Sequence, residues 1–192
     1  MIISKIPIYL ASKSPRRREM LDMMKIKYQT IDIDLEEQIN VSNSPIKNVK
    51  RLALEKCNAA LSKIEKGIVI SADTIVVLDG LIIGKPKSKI DAERILLSLS
   101  GKSHNVYTGF SIANKKSGKI ITDYSKTRVD FRTLSKKEIK DYIKTGSPMD
   151  KAGAYGIQDD YGAVFVNKII GSYYNVLGFP ASKIYEGIKS IL

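Results

Sequence analysis

The sequence predicts an α/β fold built on a mixed β-sheet, and three observations carry this prediction. Short apolar runs typical of buried strands alternate along the chain with amphipathic helical segments. Asp79-Gly80 lies between two apolar runs and is typical of a tight hairpin turn, so part of the sheet must be antiparallel. The 192 residues contain no repeat and no Gly/Ser/Pro-rich linker, so residues 1–192 are predicted to form a single domain.

The first half of the chain carries clear start signals for two helices. Ser14 and Ser44 can each cap a helix, with Pro15 and Pro45 at the first helical position. The patterns predict a strand at 6–11, a helix at 15–25, an extended segment at 27–33, a polar loop at 34–43, a helix at 44–64, a strand at 68–72, and hairpin strands at 74–78 and 81–83. One stripe of the second helix is apolar and is predicted to be buried: Val49, Leu52, Ala53, Ala60, Leu61 and Ile64.

The second half of the chain continues the alternation. Ser135 and Glu138 form a capping box, and Gly146 can end the helix that this box begins. The patterns predict a helix at 89–99, strands at 105–113 and 119–133 around a turn at 115–118, strands at 163–170 and 173–177, and a last helix starting at Pro180.

Composition limits the possible partners. A net charge of +12 favours an anionic partner. The lysines are scattered and no basic run is interleaved with aromatics, so a nucleic-acid partner is not indicated. No stretch is apolar enough to span a membrane and the opening lacks a signal-peptide pattern, so we expect no membrane partner and a cytoplasmic protein. Cys57 stands alone, which excludes an internal disulfide.

The start of the first helix is a candidate anion site. Ser14, Arg16 and Arg17 lie where the free N–H groups and the positive end of the helix dipole meet. The alternative is an ordinary surface helix with solvated arginines.

The hairpin predicts a second candidate site. A two-residue turn at Asp79-Gly80 pairs Thr74 with Lys85 and brings both close to Asp73, at the end of the apolar strand 68–72. A carboxylate in that position is a common active-site placement, and the alternative is a surface ion pair.

Two further features, a lysine and a group of loop acids, each allow two interpretations. Lys56 lies on or beside the apolar stripe, so its ammonium either extends to solvent, as for most lone lysines, or points into a polar cavity. The loop acids Asp34, Glu36 and Glu37 either hold Mg²⁺ or are solvated. His104 is the only histidine and is predicted to be structural. The glycine motifs of P-loop and dinucleotide-binding sites are missing.

Five sequence blocks in a fixed order carry a family resemblance. They are Leu10-Ala11-Ser12-Lys13-Ser14-Pro15-Arg16-Arg17-Arg18-Glu19; Ser71-Ala72-Asp73-Thr74-Ile75-Val76 with Gly84-Lys85-Pro86; Leu99-Ser100-Gly101-Lys102-Ser103-His104; Asp150-Lys151-Ala152-Gly153-Ala154-Tyr155-Gly156-Ile157-Gln158; and Gly171-Ser172-Tyr173-Tyr174-Asn175-Val176 with Gly178 and Pro180. Together they resemble the Maf family of nucleoside triphosphate pyrophosphatases over nearly the whole chain.

The resemblance implies a fold, a reaction and a cofactor. The implied fold, similar to that of inosine triphosphatases, is a central twisted mixed sheet flanked by helices, with two lobes around a cleft and usually a homodimer. The implied reaction is hydrolysis of a nucleoside triphosphate to the monophosphate and pyrophosphate, assisted by a divalent cation, Mg²⁺ or Mn²⁺.

The resemblance also implies residue roles. Asp73 resembles the proton acceptor that activates water, and Glu37 resembles the loop acid near the metal. A role of Asp73 as a metal ligand is equally consistent with the sequence. Lys85 is counted with these two in the catalytic set. The phosphate-binding positions are Ser14, Arg17, Lys56 and Lys85, and the base-selecting positions are Arg16, Thr74 and Gln158.

The sequence from Tyr155 to Gln158 resembles the branch of the family that acts on dTTP and UTP. A related branch, associated with methylated guanine nucleotides, lacks this tyrosine and glutamine. Asp159-Asp160-Tyr161 and Phe179 depart from the usual pattern. The alternatives are the same reaction on a purine or modified nucleotide, or a non-catalytic regulator of cell division or nucleic-acid binder, given the family's link to septum formation.

Overall fold

The computed structural model describes residues 2, 4–158 and 160–192. The strands are β1 (Ile8–Leu10), β2 (Gln29–Thr30), β3 (Ile68–Leu78), β4 (Leu81–Ile83), β5 (Ser103–Asn114), β6 (Ile120–Phe131) and β7 (Val166–Ile170). The α-helices are α1 (Pro15–Met23), α2 (Pro45–Leu61), α3 (Lys89–Leu99), α4 (Lys136–Lys144), α5 (Asp160–Phe165), α6 (Tyr173–Val176) and α7 (Ala181–Ile191), with 3₁₀ turns at Ser147–Asp150 and Ala152–Ala154.

The described strands form one mixed sheet, which confirms the predicted fold class. Their order is β2-β1-β3-β5-β6-β7, and β4 pairs with β3. β1 is parallel to both β2 and β3, whereas β4 is antiparallel to β3 and β7 is antiparallel to β6. Helices α2, α3, α4 and α7 each bury one face, as flanking helices of such a sheet must.

The chain forms two compact units. The first unit comprises residues 1–73, 108–125 and 178–192, and the second comprises residues 74–107 and 126–177. In the first unit, a cluster of small apolar residues joins α2 to the sheet: Ala11, Cys57, Ala60, Val69 and Ala113. In the second unit, α3 and α4 contact each other, and aromatic rings pack around Phe131 and Tyr142. The prediction of a single domain stays a prediction.

The hairpin forms as predicted at its turn, and β4 covers the predicted residues 81–83. Asp79 and Gly80 have φ values of 49° and 81°, and Leu78 pairs with Leu81. Positive φ at both central residues is the geometry that suits the twist of a hairpin. The ladder has the predicted register but ends at Val76–Ile83, so Thr74 and Lys85 lie beyond its last pair.

Asp73 lies inside a strand and not at its end, which corrects the prediction from the sequence. β3 runs without a break from Ile68 to Leu78. The β-branched residues Ile75, Val76 and Val77 favour extended backbone, and no Gly or Pro interrupts the run. The carboxylate is therefore held by a continuous strand.

Two strand predictions near the carboxyl end are also wrong in part. Residues 160–165 are helical, and only Val166–Ile170 form the predicted strand. Residues 173–176 form α6, because Ser172 accepts a capping hydrogen bond from the Asn175 N–H and the Asn175 amide donates to Val106 O and Thr127 Oγ1. Among the described residues, no helix is both long and apolar enough to cross a membrane.

Candidate active site

The loop between β1 and α1 starts the candidate site. β1 pairs in parallel with the first residues of β3, and the Ala11 N–H donates to Ile70 O, so this loop leaves the sheet beside residues 71–73. Ser14 is the N-cap of α1 and Pro15 is its first residue, as predicted. The Ser14 side chain makes no capping hydrogen bond, contrary to prediction; its backbone N–H instead donates to Ser12 Oγ.

One face of α2 lies against β3 and carries Lys56 to the site. Ser71 Oγ donates to Ala53 O at 2.7 Å, and the Cys57 thiol lies 3.9 Å from Val69 O. Gly109 on β5 allows the close approach of α2, since a Cβ there would lie 2.2 Å from Val49 O. Lys56 lies between these contacts and is buried, which favours the second of the two interpretations, an ammonium that points into a polar cavity, over extension to solvent.

Lys56 bridges two carboxylates. Its Nζ lies 2.6 Å from Asp73 Oδ1 and 2.7 Å from Glu37 Oε1. Only 7% of the Lys56 and Asp73 side chains is exposed, whereas 44% of the Glu37 side chain is exposed. Burying such a pair costs desolvation energy that the attraction between the charges only partly recovers, so the pair is weak support for stability. Charged groups retained at that cost in one place mark a candidate for chemistry.

Arg17 adds a second cation to the same cluster. Its Nε donates to Gly178 O and its Nη1 donates to Ser12 Oγ, both at 3.0 Å. Burial lowers the pKa of Arg17 from its ordinary value, and the negative charges of Asp73 and Glu37 raise it against that effect. The structure therefore brings together four of the predicted residues, Arg17, Glu37, Lys56 and Asp73, in the first unit.

Two side chains of α2 that the sequence analysis did not single out hold the loop that presents Glu37. Asn48 is fully buried; its Oδ1 accepts from the Asn40 N–H, and its Nδ2 donates to Asn40 O and Asn43 O. Arg51 Nη2 donates to Gln38 O at 2.5 Å. An asparagine in a helix interior runs against helix propensity, and this signal could have identified Asn48.

The two carboxylates of the site could hold a divalent cation only together with further oxygen ligands from water and from substrate phosphates. Among residues 2, 4–158 and 160–192, no group of three or more His, Cys, Asp and Glu side chains is arranged to hold a metal. Asp73 and Glu37 supply two carboxylates whose oxygens contact the same ammonium. Mg²⁺ is commonly held by one or two carboxylates together with waters and substrate phosphates, so this donor set fits a substrate-bound cation.

The other predicted residues lie in the second unit or at the start of α1. Arg16 is half-buried in the first turn of α1, and Thr74 follows Asp73 in β3 and is half-buried. Lys85 is exposed beyond β4, and Gln158 is exposed directly after the buried run Gly153–Ile157. The Gly153 N–H donates to Gly84 O at 3.1 Å, which ties this run to the backbone beside Lys85. Asp159 lies outside the described residues.

His104 is buried, and its structural role stays a prediction. Its Nε2 shares a hydrogen bond with the Tyr155 hydroxyl at 2.8 Å, and Nδ1 has no hydrogen-bond partner within the described chain. Burial lowers the pKa of His104 to about 4, although Asp130 raises it slightly, so the imidazole is neutral at pH 7. The contact with Tyr155 spans 51 residues, and sequence patterns do not report contacts at such separations.

Comparison with known proteins identifies the family. The family described as Maf-like protein matches residues 7–191, which is nearly the whole chain. The chain belongs to the Maf family. This confirms the resemblance carried by the five sequence blocks and agrees with the mixed sheet described above.

Curated relatives of this Maf protein share one name. A protein of Syntrophomonas wolfei named dTTP/UTP pyrophosphatase is 46% identical over 176 residues, 92% of this chain and 93% of the relative. Proteins with the same name from Clostridioides difficile and Alkaliphilus metalliredigens are 44% and 47% identical, covering 95% and 93% of this chain and 93% of each relative. Both chains are thus compared over almost their full length.

Proposed function

We propose that this Maf protein is a nucleoside triphosphate pyrophosphatase that hydrolyses dTTP and UTP to the nucleoside monophosphate and pyrophosphate. The observation that carries the proposal is the buried contact of Lys56 with Asp73, beside Glu37 and Arg17, in a chain whose full-length relatives are named for this reaction. Burial of these charges costs desolvation energy, so the pair is better explained by a role in the site than by stabilisation of the fold.

Cations of the site would bind the triphosphate. Arg17 and Lys56 lie beside Asp73, and Ser14 and the first turn of α1 add donors at the positive end of a helix dipole. Lys85, exposed in the second unit, is proposed as the further phosphate ligand. Preorganised positive charge lowers the barrier because negative charge moves onto the leaving pyrophosphate.

Asp73 would activate the attacking water. Its carboxylate accepts a proton from water as the water oxygen bonds to the α-phosphorus, the α–β anhydride bond breaks, and pyrophosphate leaves with the bonding electrons. The ammonium of Lys56 fixes Oδ1 of this carboxylate at 2.6 Å and so sets its orientation. Because this carboxylate is almost completely buried, bulk water has little access to it and does not compete with the attacking water for its hydrogen bonds.

We propose Mg²⁺ or Mn²⁺ as the cofactor. Glu37 would hold the cation together with phosphate oxygens, and Asp73 acts either as the base or as a second ligand of the cation. When bound, the cation would neutralise charge on the triphosphate.

Base selection is assigned to Arg16, Thr74 and Gln158. The amide of a glutamine offers one acceptor and two donors, which matches the imide edge of uracil or thymine. Gln158 is exposed directly after a buried segment, so a nucleobase can reach this residue.

We further propose that the protein is a cytoplasmic homodimer. The single cysteine, Cys57, is buried and unpaired, in accord with a reducing compartment, where nucleotides are also found. A molar mass near twice 21.4 kDa by light scattering supports the dimer, and the mass of one chain contradicts it.

The test is pyrophosphate release from a panel of purified nucleotides with Mg²⁺ or Mn²⁺. We expect dTTP and UTP to have a higher kcat/KM than ATP and GTP, and no release without a divalent cation. A preference for a purine or a methylated guanine nucleotide would refute the base assignment and leave the reaction standing. No release from any nucleotide would refute the enzymatic proposal.

A further inference from the structure

The segment that carries Gln158 is held at several points within the second unit. Gly153, Ala154, Tyr155, Gly156 and Ile157 are all buried, and Gln158 directly after them is exposed. The position of the Gln158 backbone is therefore set by the contacts of the preceding residues. This raises the question of which side chains make those contacts.

The first contact is the hydrogen bond between His104 Nε2 and the Tyr155 hydroxyl, 2.8 Å long. The Tyr155 ring also packs edge-on against His104 and Phe131, with ring centroids 5.3 and 4.7 Å away. Since His104 Nδ1 has no hydrogen-bond partner among the described residues, the only hydrogen bond recorded for this imidazole is the one that holds Tyr155. His104 therefore acts on the segment through Tyr155.

The second contact comes from Tyr142 on α4. The backbone N–H of Gly156 donates to the Tyr142 hydroxyl at 3.1 Å, two residues before Gln158. Only 1% of Tyr142 is exposed, and its ring packs edge-on against Phe165. A buried ring held by packing places its hydroxyl at a fixed point, so the Gly156 backbone is fixed as well.

Backbone packing completes the arrangement. Gly153 has a φ of +76°, and a Cβ on it would lie 2.9 Å from Val76 Cγ2. At Gly162 on α5, a Cβ would lie 2.0 Å from Gly156 O. The backbone is therefore packed closely against Val76 of β3 at Gly153 and against α5 at Gly156.

We propose that His104, Tyr155 and Tyr142 are positioning residues for base selection: the hydrogen bonds of the two tyrosine hydroxyls, one to His104 and one to the Gly156 N–H, fix the backbone that presents Gln158 to the nucleobase. The inference rests on the proposed role of Gln158. A site that hydrogen-bonds one base edge discriminates only while its amide stays in register with that edge, because a misplaced amide leaves polar groups unpaired for every base alike.

The experiment removes one hydroxyl at a time and measures base preference. Tyr155→Phe and Tyr142→Phe keep the rings, and Tyr185→Phe on α7 makes the same chemical change in the first unit as a matched control. For each variant, kcat/KM is measured with dTTP and with dATP. We expect the ratio of the two to fall by about tenfold in Tyr155→Phe and Tyr142→Phe, in line with one lost hydrogen bond, and to stay unchanged in Tyr185→Phe.

A double mutant separates positioning from a direct role. If Tyr155 acts through Gln158, Tyr155→Phe in a Gln158→Ala background leaves the dTTP-to-dATP ratio of Gln158→Ala unchanged. Additive effects on the ratio would overturn the proposal, and so would Tyr→Phe variants that lose thermal stability but keep the wild-type ratio.

The same series distinguishes failure of this inference from failure of the proposed function. Gln158→Ala with an unchanged ratio refutes the base role of Gln158 itself, and the inference falls with it. If Gln158→Ala lowers the dTTP-to-dATP ratio of kcat/KM while Tyr155→Phe and Tyr142→Phe keep the wild-type ratio, only the positioning role is refuted. Should Tyr142→Phe fail to fold, Tyr155→Phe and His104→Gln carry the test.

Discussion

Lys56 Nζ lies 2.6 Å from Asp73 Oδ1, and only 7% of either side chain is exposed. Two apolar residues of similar size would hold α2 against β3 at least as well, because they carry no desolvation penalty. Removing one member of an isolated buried pair typically costs about 3–5 kcal/mol, and here Glu37 and Arg17 compensate part of the charge that is left. Substitutions at this pair must therefore keep a hydrogen bond if they are to report on catalysis and not on folding.

Asp73→Asn meets that condition. The amide oxygen still accepts from Lys56 Nζ, so we expect the fold to survive, whereas an amide cannot take a proton from water and turnover should fall by at least about a hundredfold. The measurements are kcat for dTTP and the melting temperature. Asp123→Asn, which removes an exposed carboxylate paired with Lys183 in the same unit, is the control and should be active. Near-normal turnover in Asp73→Asn would remove this residue from the mechanism.

Arg17→Ala and Lys85→Ala test the phosphate contacts. Both residues are proposed to bind the triphosphate and not the base, so kcat/KM should fall by about tenfold to a hundredfold for every nucleotide, with their ranking unchanged. Their exposed neighbours Arg18 and Lys87 supply the matched controls Arg18→Ala and Lys87→Ala, which should keep activity. A changed ranking without loss of activity would contradict the phosphate role of the residue concerned.

The buried imidazole of His104 makes stability depend on pH. Burial lowers the pKa of His104 from 6.5 to about 4, so the unfolded chain binds more protons between these values and stability falls as pH falls through that range. Above pH 6.5, His104 is neutral in both states and does not reduce the free energy of unfolding. Between pH 7 and pH 5, protonation of His104 in the unfolded chain lowers this free energy by about 2 kcal/mol. Urea unfolding of the wild type and of His104→Gln at both pH values measures the difference. Equal losses in the two proteins would show that His104 does not titrate in this way.

Most local features of the chain were predictable from sequence, the capping hydrogen bond of the Ser14 side chain excepted, and contacts between distant residues were not. The caps at Ser44 and Ser135 and the turn at Asp79-Gly80 depend on neighbours within four residues, and all three formed as predicted. The strand predicted at 173–177 is a helix because Asn175 bonds to Val106 and Thr127, which lie 69 and 48 residues away.

The candidate site shows the same division. The sequence placed Lys56 on the apolar stripe of α2, but the carboxylates that hold its ammonium lie 17 residues away on β3 and in the loop before α2. Without these partners, extension to solvent is the better expectation for a lone lysine. The partners became predictable only through resemblance to a family, which assigns roles by position and not by physical contact.

Asn48→Ala tests whether the loop that carries Glu37 must be held in place for metal use. Asn48 makes hydrogen bonds to Asn40 and Asn43. Without these bonds the loop should become more mobile, so that Glu37 is still present but no longer held beside Lys56. A carboxylate that must be ordered before it binds a cation binds it more weakly. We therefore expect the Mg²⁺ concentration for half-maximal dTTP hydrolysis to rise by about tenfold, as for a loss of roughly 1.4 kcal/mol, with much of kcat recovered at high Mg²⁺.

The control for this prediction is Asn58→Ala, which makes the same change at an exposed position of the same helix. Alanine favours the helix at both positions, so intrinsic propensity cancels between the two variants. Asn58→Ala should keep the wild-type Mg²⁺ dependence. If Asn48→Ala melts at a lower temperature yet keeps the wild-type Mg²⁺ dependence, Asn48 stabilises the loop without positioning Glu37. If Glu37→Gln also keeps the wild-type Mg²⁺ dependence, Glu37 is not a metal ligand. Titration of Asn48→Ala and Glu37→Gln with Mg²⁺ side by side therefore distinguishes a failure of the positioning role of Asn48 from a failure of the metal role of Glu37.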